Sequence, residues 1–124
     1  VMNDNYKRIL DQYMHSSQNH NYEDVFINLF NMSKELHYLK NAFDYTGINS
    51  LGDFIYQYSY NTFIEMCKIK NIQFEDKDLL LLDVFCGGAS IMYQHYILGK
   101  FDLSPQQAGK ILYQMVPDVF KISW

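Results

Sequence analysis

The side chains of this sequence that could do chemistry are its histidines, its cysteines and one serine beside paired glycines. The four histidines are His15, His20, His37 and His95, and no two of them stand at the i, i+4 spacing that puts two metal ligands on one helix face. No Cys-x-x-Cys or His-Glu-x-x-His motif occurs. We therefore predict no metal site and no cofactor. A small bundle enzyme or metal carrier that uses His37 or His95 remains an alternative.

The two cysteines are predicted to be small buried hydrophobic residues. Cys67 follows Met66 in a helical pattern, Cys86 lies in an apolar run, and no secretory leader is recognisable ahead of them. Free cysteine is among the most buried residue types, and disulfides are rare in reducing compartments. We therefore expect a cytoplasmic protein whose cysteines do not form a disulfide.

Residues 88–91, Gly-Ala-Ser-Ile, are partly similar to the nucleophile elbow of hydrolases. That motif requires a second glycine where Met92 stands and a strand before the turn, and neither is present in the sequence pattern. Gly87 and Gly88 are not followed by the Lys-Ser or Lys-Thr of a phosphate-binding loop. We therefore predict that the chain has no catalytic residues and is not an enzyme.

The composition limits the partners that the chain can bind. Its 124 residues carry a net charge of −4, Arg8 is the only arginine, and the lysines are scattered. Because nucleic-acid binding depends on clustered Lys and Arg, the chain by itself is not expected to bind DNA or RNA. The most apolar segment, residues 79–93, is too short to span a bilayer and contains Asp83, so no membrane partner is expected.

Helical periodicity dominates the chain, and no alternating strand pattern extends beyond a few residues. The second helix is predicted to begin after Asn19 or Asn21, and the fourth to stop at Gly99. The fold class is therefore all-α, a bundle of about five helices. The predicted helices cover about residues 5–15, 22–43, 51–69, 75–98 and 105–116.

Two helix starts have recognisable capping residues. A turn is predicted at residues 45–49, after which Ser50 is the expected N-cap of the third helix. Ser104, Pro105 and Gln107 give the clearest start in the sequence, because they combine a serine cap, proline at the first helical position and a glutamine three residues after the cap.

Residues 79–98, LLLLDVFCGGASIMYQHYIL, are apolar or small around most of a helix circumference, which predicts burial on several sides. Each glycine inside a helix costs about 1 kcal/mol relative to alanine. Close approach of another helix at Gly87, Gly88 and Ala89 would compensate that cost. The contact can come from the same chain or from a second copy.

A polar stripe runs along the same predicted helix at Asp83, Gly87, Ser90 and Gln94. If these polar groups are buried, they need hydrogen-bond partners, which another subunit or a ligand could supply. The alternative is that the stripe faces water.

Residues 85–112, FCGGASIMYQHYILGKFDLSPQQAGKIL, resemble the end of TetR/AcrR-family transcriptional regulators. The similar features are a helix with a small-residue Gly-Gly segment and an aromatic-rich end, a glycine turn after it, and then Ser-Pro ahead of an apolar helix. Residues 40–50, KNAFDYTGINS, are similar to the middle of the same domain in a subgroup from low-GC bacteria. Tyr96-Ile97 departs from the Trp-Leu that many members carry.

The resemblance implies that the last two helices form a four-helix bundle with those of a second copy. Residues 1–18 would be the connector helix from an N-terminal DNA-binding head that is missing here, and residues 19–124 the effector-binding and dimerisation domain. It also implies a cytoplasmic bacterial homodimer that binds a small apolar or aromatic effector and contacts DNA only through the missing head. The dimer residues implied are Gly87, Gly88, Ile91, Met92, Tyr96, Ile111, Leu112 and Met115, for which packing within one chain is the alternative.

The effector pocket implied by the resemblance has aromatic and methionine walls. Its candidate residues are Phe26, Phe30, Phe54, Tyr58, Phe63, Met66 and Phe85, for which a filled core is the alternative. The function expected is a ligand-responsive transcriptional regulator of TetR type. The alternative function is a free-standing helical module that binds a partner helix and no small molecule.

Overall fold

The computed structural model describes residues 21–35 and 45–121. Within these ranges the chain is helical and contains no strand, so the all-α prediction is confirmed. The predicted first helix, residues 5–15, lies outside the described residues. The elements are α1 (Tyr22–Glu35), α2 (Tyr45–Ile69), α3 (Asp76–Ile97), α4 (Pro105–Gln114) and a 3-10 turn (Asp118–Phe120).

Helix α1 begins at one of the two places that the sequence predicts. The backbone N–H of Asp24 donates to Oδ1 of Asn21 at 3.0 Å, so Asn21 is the N-cap. The acidic Glu23 and Asp24 lie in the first turn, where negative charge favours a helix. The predicted continuation of this helix through residues 36–43 falls outside the described residues.

The start of α2 corrects the prediction of a turn at residues 45–49. The helix already runs from Tyr45 and passes through Gly47, so Ser50 is an interior residue and not an N-cap. The prediction gave one glycine too much weight, because a glycine inside a helix costs only about 1 kcal/mol and no proline follows it. At the other end Asn71 takes a left-handed φ of 55°, and N–H of Ile72 donates to the Cys67 carbonyl at 2.9 Å.

Helix α3 begins and ends with the predicted residues. Glu75 is its N-cap, and N–H of Glu75 donates to Oδ2 of Asp78 at 2.8 Å, completing a capping box. Gly99 has a φ of 76°, and N–H of Lys100 then donates to the His95 carbonyl at 3.0 Å. The left-handed glycine therefore terminates the helix, as predicted.

Helix α4 confirms the strongest start signal of the sequence. N–H of Gln107 donates to Oγ of Ser104 at 3.1 Å, N–H of Ser104 donates to Oε1 of Gln107 at 2.9 Å, and Pro105 occupies the first turn. The helix ends at Gln114, before Pro117, which initiates the 3-10 turn. Pro117 therefore does not kink the helix.

Replacing Ser104 with alanine removes this reciprocal cap. We expect the free energy of unfolding to fall by about 1 kcal/mol, because an orphan N–H at the helix start loses its acceptor. Urea denaturation followed by circular dichroism measures the change. Gln106→Ala is the matched control, since Gln106 is exposed in the same turn and should change stability by less than about 0.5 kcal/mol. Equal effects of the two substitutions would contradict the capping role.

The described helices pack as two pairs around one core, α1 against α4 and α2 against α3. All four helices and the 3-10 turn contribute to this core, which is rich in aromatic rings. Its fully buried residues of largest volume are Tyr22, Tyr93, Phe30, Phe120, Met32, Leu82, Cys67 and Cys86.

A close approach of two helix backbones lies between α1 and α4 at Gly109, and not at the paired glycines. A Cβ added to Gly109 would lie 2.5 Å from Cγ1 of Ile27 and 2.8 Å from its backbone N. Cβ atoms added to Gly87 or Gly88 meet no atom of the described residues within 4 Å. The close helix contact predicted at Gly87 and Gly88 is therefore not made within this part of the chain.

Candidate functional site

Four of the predicted pocket residues lie in the buried core. The rings of Phe26 and Phe85 are 6.2 Å apart between centroids, and those of Phe63 and Phe85 are 5.8 Å apart and nearly perpendicular. Phe30 packs instead against Tyr93, at 5.6 Å. These are ordinary aromatic packing distances, so the rings themselves occupy the space between them.

The other three pocket candidates, Phe54, Tyr58 and Met66, are partly buried residues of α2 that pack against the core. The rings of Phe54 and Tyr58 contact each other at 5.8 Å. Whether these seven residues bind an effector stays a prediction. Of the seven, only Phe85 borders the groove described below.

Helix α3 carries a stripe of apolar side chains that face away from the core. Leu80, Leu81, Val84, Ile91 and Leu98 are 64%, 53%, 67%, 54% and 37% exposed, and Gly87 and Gly88 lie between them. We call these seven residues the α3 stripe. Scattered apolar residues are normal on protein surfaces, but a continuous row on one helix is typical of an interaction site.

A groove of about 800 Å³ lies beside the α3 stripe, between α3 and the segment that includes α4 and the 3-10 turn. Its lining is mostly apolar, and its charged residues come from the start of α3 and from the 3-10 turn. The lining residues are Lys77, Asp78, Leu81, Val84, Phe85, Gly88, Ala89, Met92, Leu112, Met115, Pro117, Asp118 and Val119.

The predicted dimer residues divide between this surface and the core. Ile91, Ile111 and Met115 are exposed, and Cβ atoms added at Gly87 and Gly88 would meet no atom of the described residues within 4 Å. Leu112 is buried, Met92 is partly buried, and Tyr96 packs its ring on Phe30 at 4.8 Å. The hydroxyl of Tyr96 donates to the Leu103 carbonyl at 2.9 Å.

The polar stripe on α3 finds its partners within the same chain. The hydroxyl of Ser90 donates to the Gly52 carbonyl at 2.6 Å, and Nε2 of Gln94 donates to the Ser90 carbonyl at 3.2 Å. The hydroxyl of Tyr56 donates to Oδ1 of Asp83. Helix α2 supplies Gly52 and Tyr56, so the partners of Ser90 and Asp83 come from the same chain, and Asp83 is also exposed to water.

Both cysteines are buried and free of disulfides, as predicted. Burial, with a smaller contribution from the nearby Asp83 carboxylate, raises the pKa of the Cys86 thiol to about 12. Burial also raises the pKa of Cys67. Both thiols are therefore poor nucleophiles in the folded protein at neutral pH.

The raised pKa of Cys86 predicts a loss of stability in alkali. A thiol that ionises near 9 when unfolded and near 12 when folded favours folding below pH 9, and this contribution is lost as the pH rises. At pH 10 we expect a loss of about 1.4 kcal/mol relative to pH 8 from this group. Urea denaturation of the wild type and of Cys86→Ala at both pH values isolates the contribution, because all other groups titrate in both proteins. If the difference in free energy of unfolding between the wild type and Cys86→Ala is the same at pH 8 and at pH 10, ionisation of Cys86 does not contribute to the loss.

His95 is the one histidine within the described residues, and its ring lies 6.1 Å from that of Phe101. His15, His20 and His37 lie outside them. Within residues 21–35 and 45–121, no three His, Cys, Asp or Glu side chains are placed to hold a metal ion. In the same ranges no helix is long and apolar enough to cross a bilayer.

Two features of the site escape the sequence prediction. Four residues of the α3 stripe, Leu80, Leu81, Val84 and Leu98, were not predicted to be exposed, because residues 79–98 are apolar on nearly every side. The seven-residue spacing of Val84, Ile91 and Leu98 could have shown the stripe. Gly109 permits close packing of α1 against α4, and the sequence indicates this only by its place on the apolar side of α4.

No protein-family model matches the chain, no characterised protein is detectably similar to it, and no solved structure matches it. The similarity of residues 85–112 to the TetR/AcrR pattern therefore remains a prediction from those residues.

Proposed function

We propose that this chain is the dimerisation and effector-sensing part of a transcriptional regulator of TetR type, and that α3 and α4 make its dimer contact. The observation that carries the proposal is the exposed α3 stripe with its two open glycines. The stripe extends into residues 85–112, the segment that resembles the end of such regulators. A net charge of −4 agrees with a part that leaves DNA binding to another domain.

The hydrophobic effect supports a dimer contact at this surface. Burying apolar surface contributes roughly 25 cal/mol per Å², and large contiguous apolar patches on soluble proteins usually mark contact sites. Ile111 and Met115 of α4 are exposed as well and widen the apolar surface beyond α3. Two helices of each copy would then contribute to the contact.

An apolar or aromatic small molecule is the effector class that suits the residues around Phe85. This ring belongs to the aromatic core and also borders the groove of about 800 Å³, a volume within the range of small-molecule sites. A ligand in the groove would touch Phe85 directly. It could therefore alter the packing of the core that joins α1, α2 and α3.

A helical interaction module without a ligand is the second candidate. The observation in its favour is the ring packing of Phe26, Phe63 and Phe85, whose centroid distances leave these rings in contact with one another. A solid core needs no effector, and the α3 stripe would then receive an amphipathic helix of another protein.

A DNA-binding assay on the complete protein that contains this chain tests the regulator proposal. We expect a mobility shift with DNA from upstream of its own gene, and release of that DNA by some members of a panel of neutral aromatic compounds. Native mass spectrometry of the present chain at low micromolar concentration should give twice 14.8 kDa. A dimer without DNA binding would reject the regulator and favour the interaction module.

A further inference from the structure

We propose that a polar pocket between α2 and α3 binds a small organic ammonium ion, that is, an amine whose charged head is attached to a short apolar body. This pocket shares no lining residue with the groove beside the α3 stripe. The inference goes beyond the proposed function, because it concerns a different site and a charged ligand.

The pocket has a volume of about 450 Å³, which is within the range of small-molecule sites. Residues of α2 form one wall, and the polar stripe of α3 forms the other. Its lining is mostly polar, in contrast to that of the groove. The lining residues are Gly52, Asp53, Tyr56, Gly87, Ser90, Ile91 and Gln94.

The hydrogen bonds between the two walls use the side-chain donors of the pocket. The hydroxyl of Ser90 donates to the Gly52 carbonyl at 2.6 Å. Nε2 of Gln94 donates to the Ser90 carbonyl at 3.2 Å and to Oγ of Ser90 at 3.3 Å, and the hydroxyl of Tyr56 donates to Asp83. A ligand in the pocket must therefore itself be a donor, because carboxylate and amide oxygens are the groups left to bind it.

Two carboxylates determine the charge that the pocket attracts. Asp53 lines it from α2, and Asp83 lies one helical turn before Gly87 on the α3 wall. Both acids are exposed, and no lysine or arginine of the described residues forms an ion pair with either of them. A positively charged donor is therefore the ligand that complements the pocket in charge and in hydrogen bonding.

The ring of Tyr56 adds an aromatic surface to this charge. It is half-buried, stacks on the ring of Tyr60 at 6.3 Å between centroids, and is fixed at its other end by the hydrogen bond to Asp83. An ammonium ion near an aromatic face is attracted by the ring electrons. Carboxylates beside an aromatic ring thus favour an organic ammonium ion over a neutral donor.

The α3 wall leaves room for the apolar body of the ligand. A Cβ added to Gly87 would meet no atom of the described residues within 4 Å, so a ligand can lie directly against the helix backbone there. Ile91, one turn further along, is 54% exposed and offers an apolar contact at the rim. An alkyl or aryl group attached to the ammonium head would therefore cover apolar surface that is otherwise in water.

An NMR titration of the full chain with three compounds that share a phenyl ring tests the site. At pH 7, 2-phenylethylamine carries an ammonium group, 2-phenylethanol a hydroxyl and phenylacetate a carboxylate. We expect the amine to shift the backbone amide signals of Gly87, Ser90 and Gln94, and phenylacetate to leave them unchanged. The amine should bind about tenfold more tightly than the alcohol, because exposed ion pairs and a cation–π contact each contribute up to about fivefold.

Asp53→Asn identifies the contribution of one carboxylate. It removes the charge with little change in shape, and we expect it to weaken amine binding by about fivefold and to leave alcohol binding unchanged. Glu65→Gln is the matched control, because it removes the same charge from an exposed position of α2 outside the pocket. The spectrum of each variant without ligand verifies that it is folded.

Four results would overturn the proposal. Equal affinity for the amine and the alcohol would show that charge is not recognised, and equal weakening by Asp53→Asn and Glu65→Gln would show that the amine responds only to overall charge. Shifts confined to groove residues such as Phe85 and Leu112 would place the compounds in the groove. The absence of shifts at millimolar amine would exclude the site.

These outcomes are independent of the proposed function. Gly87 and Ile91 also belong to the proposed dimer contact, but all three compounds are titrated at one protein concentration, so dimerisation affects them alike. Neither Asp53 nor Glu65 is among the predicted dimer residues, and no DNA is present. The ammonium site and the regulator can therefore fail separately.

Discussion

Gly109→Ala is expected to lower the free energy of unfolding by about 3 kcal/mol, because α1 and α4 touch at this residue. The new Cβ would lie 2.5 Å from Cγ1, 2.8 Å from N and 2.9 Å from Cα of Ile27. A flexible side chain could turn away, but the backbone atoms of α1 can move only with the helix. The substitution therefore separates two helices that cover the core. Urea denaturation at pH 7 measures the loss.

Gly87→Ala is the matched control for this prediction. It makes the same chemical change inside a helix, but its Cβ meets no atom of the described residues within 4 Å. Measured below the dissociation constant of the proposed dimer, to whose contact Gly87 belongs, the gain in helix propensity should then raise the stability of the single chain by up to about 1 kcal/mol. If both substitutions change stability in the same direction by the same amount, backbone contact between α1 and α4 is not what makes Gly109 necessary.

The boundaries of α3 and α4 were predictable because local chemistry determines them. The Glu75 and Ser104 capping boxes, Pro105 and Gly99 act within a few residues of the helix ends, and their effect is readable in the sequence. The start of α2 was not predictable in this way. A single glycine at residue 47 suggested a turn, whereas the cost of one helical glycine is small enough for the helix to continue.

The candidate site was predictable only in part, because periodicity does not reveal which element faces a given residue. Gly87, Gly88 and Gly109 are equivalent as sequence features, yet only Gly109 contacts another helix in the described residues. In the same way the polar groups of Ser90 and Gln94 suggested an outside partner. Their proximity to α2 depends on the tertiary fold, which brings residues 38 positions apart to within 2.6 Å.

Gly88→Leu is expected to weaken the dimer by about 100-fold while the single chain remains at least as stable as the wild type. Within one copy the Cβ of the new side chain meets no atom of the described residues within 4 Å, and the change improves helix propensity by up to about 1 kcal/mol. Across the proposed dimer contact, two leucines, one from each copy, would separate helices that meet at glycine. Overpacking costs about 1–3 kcal/mol at a packed site, and 2.8 kcal/mol corresponds to 100-fold in the dissociation constant.

Sedimentation equilibrium gives the dissociation constant, and urea denaturation at a concentration below it gives the stability of the monomer. Lys68→Leu is the control, because it adds the same side chain at an exposed position of α2 outside the α3 stripe. The control should dimerise like the wild type. If Gly88→Leu dimerises as tightly as the control, the helices do not cross at the glycines. A loss of monomer stability would instead indicate that residue 88 packs within its own chain. A change that affects only the contact between two copies cannot destabilise an isolated copy.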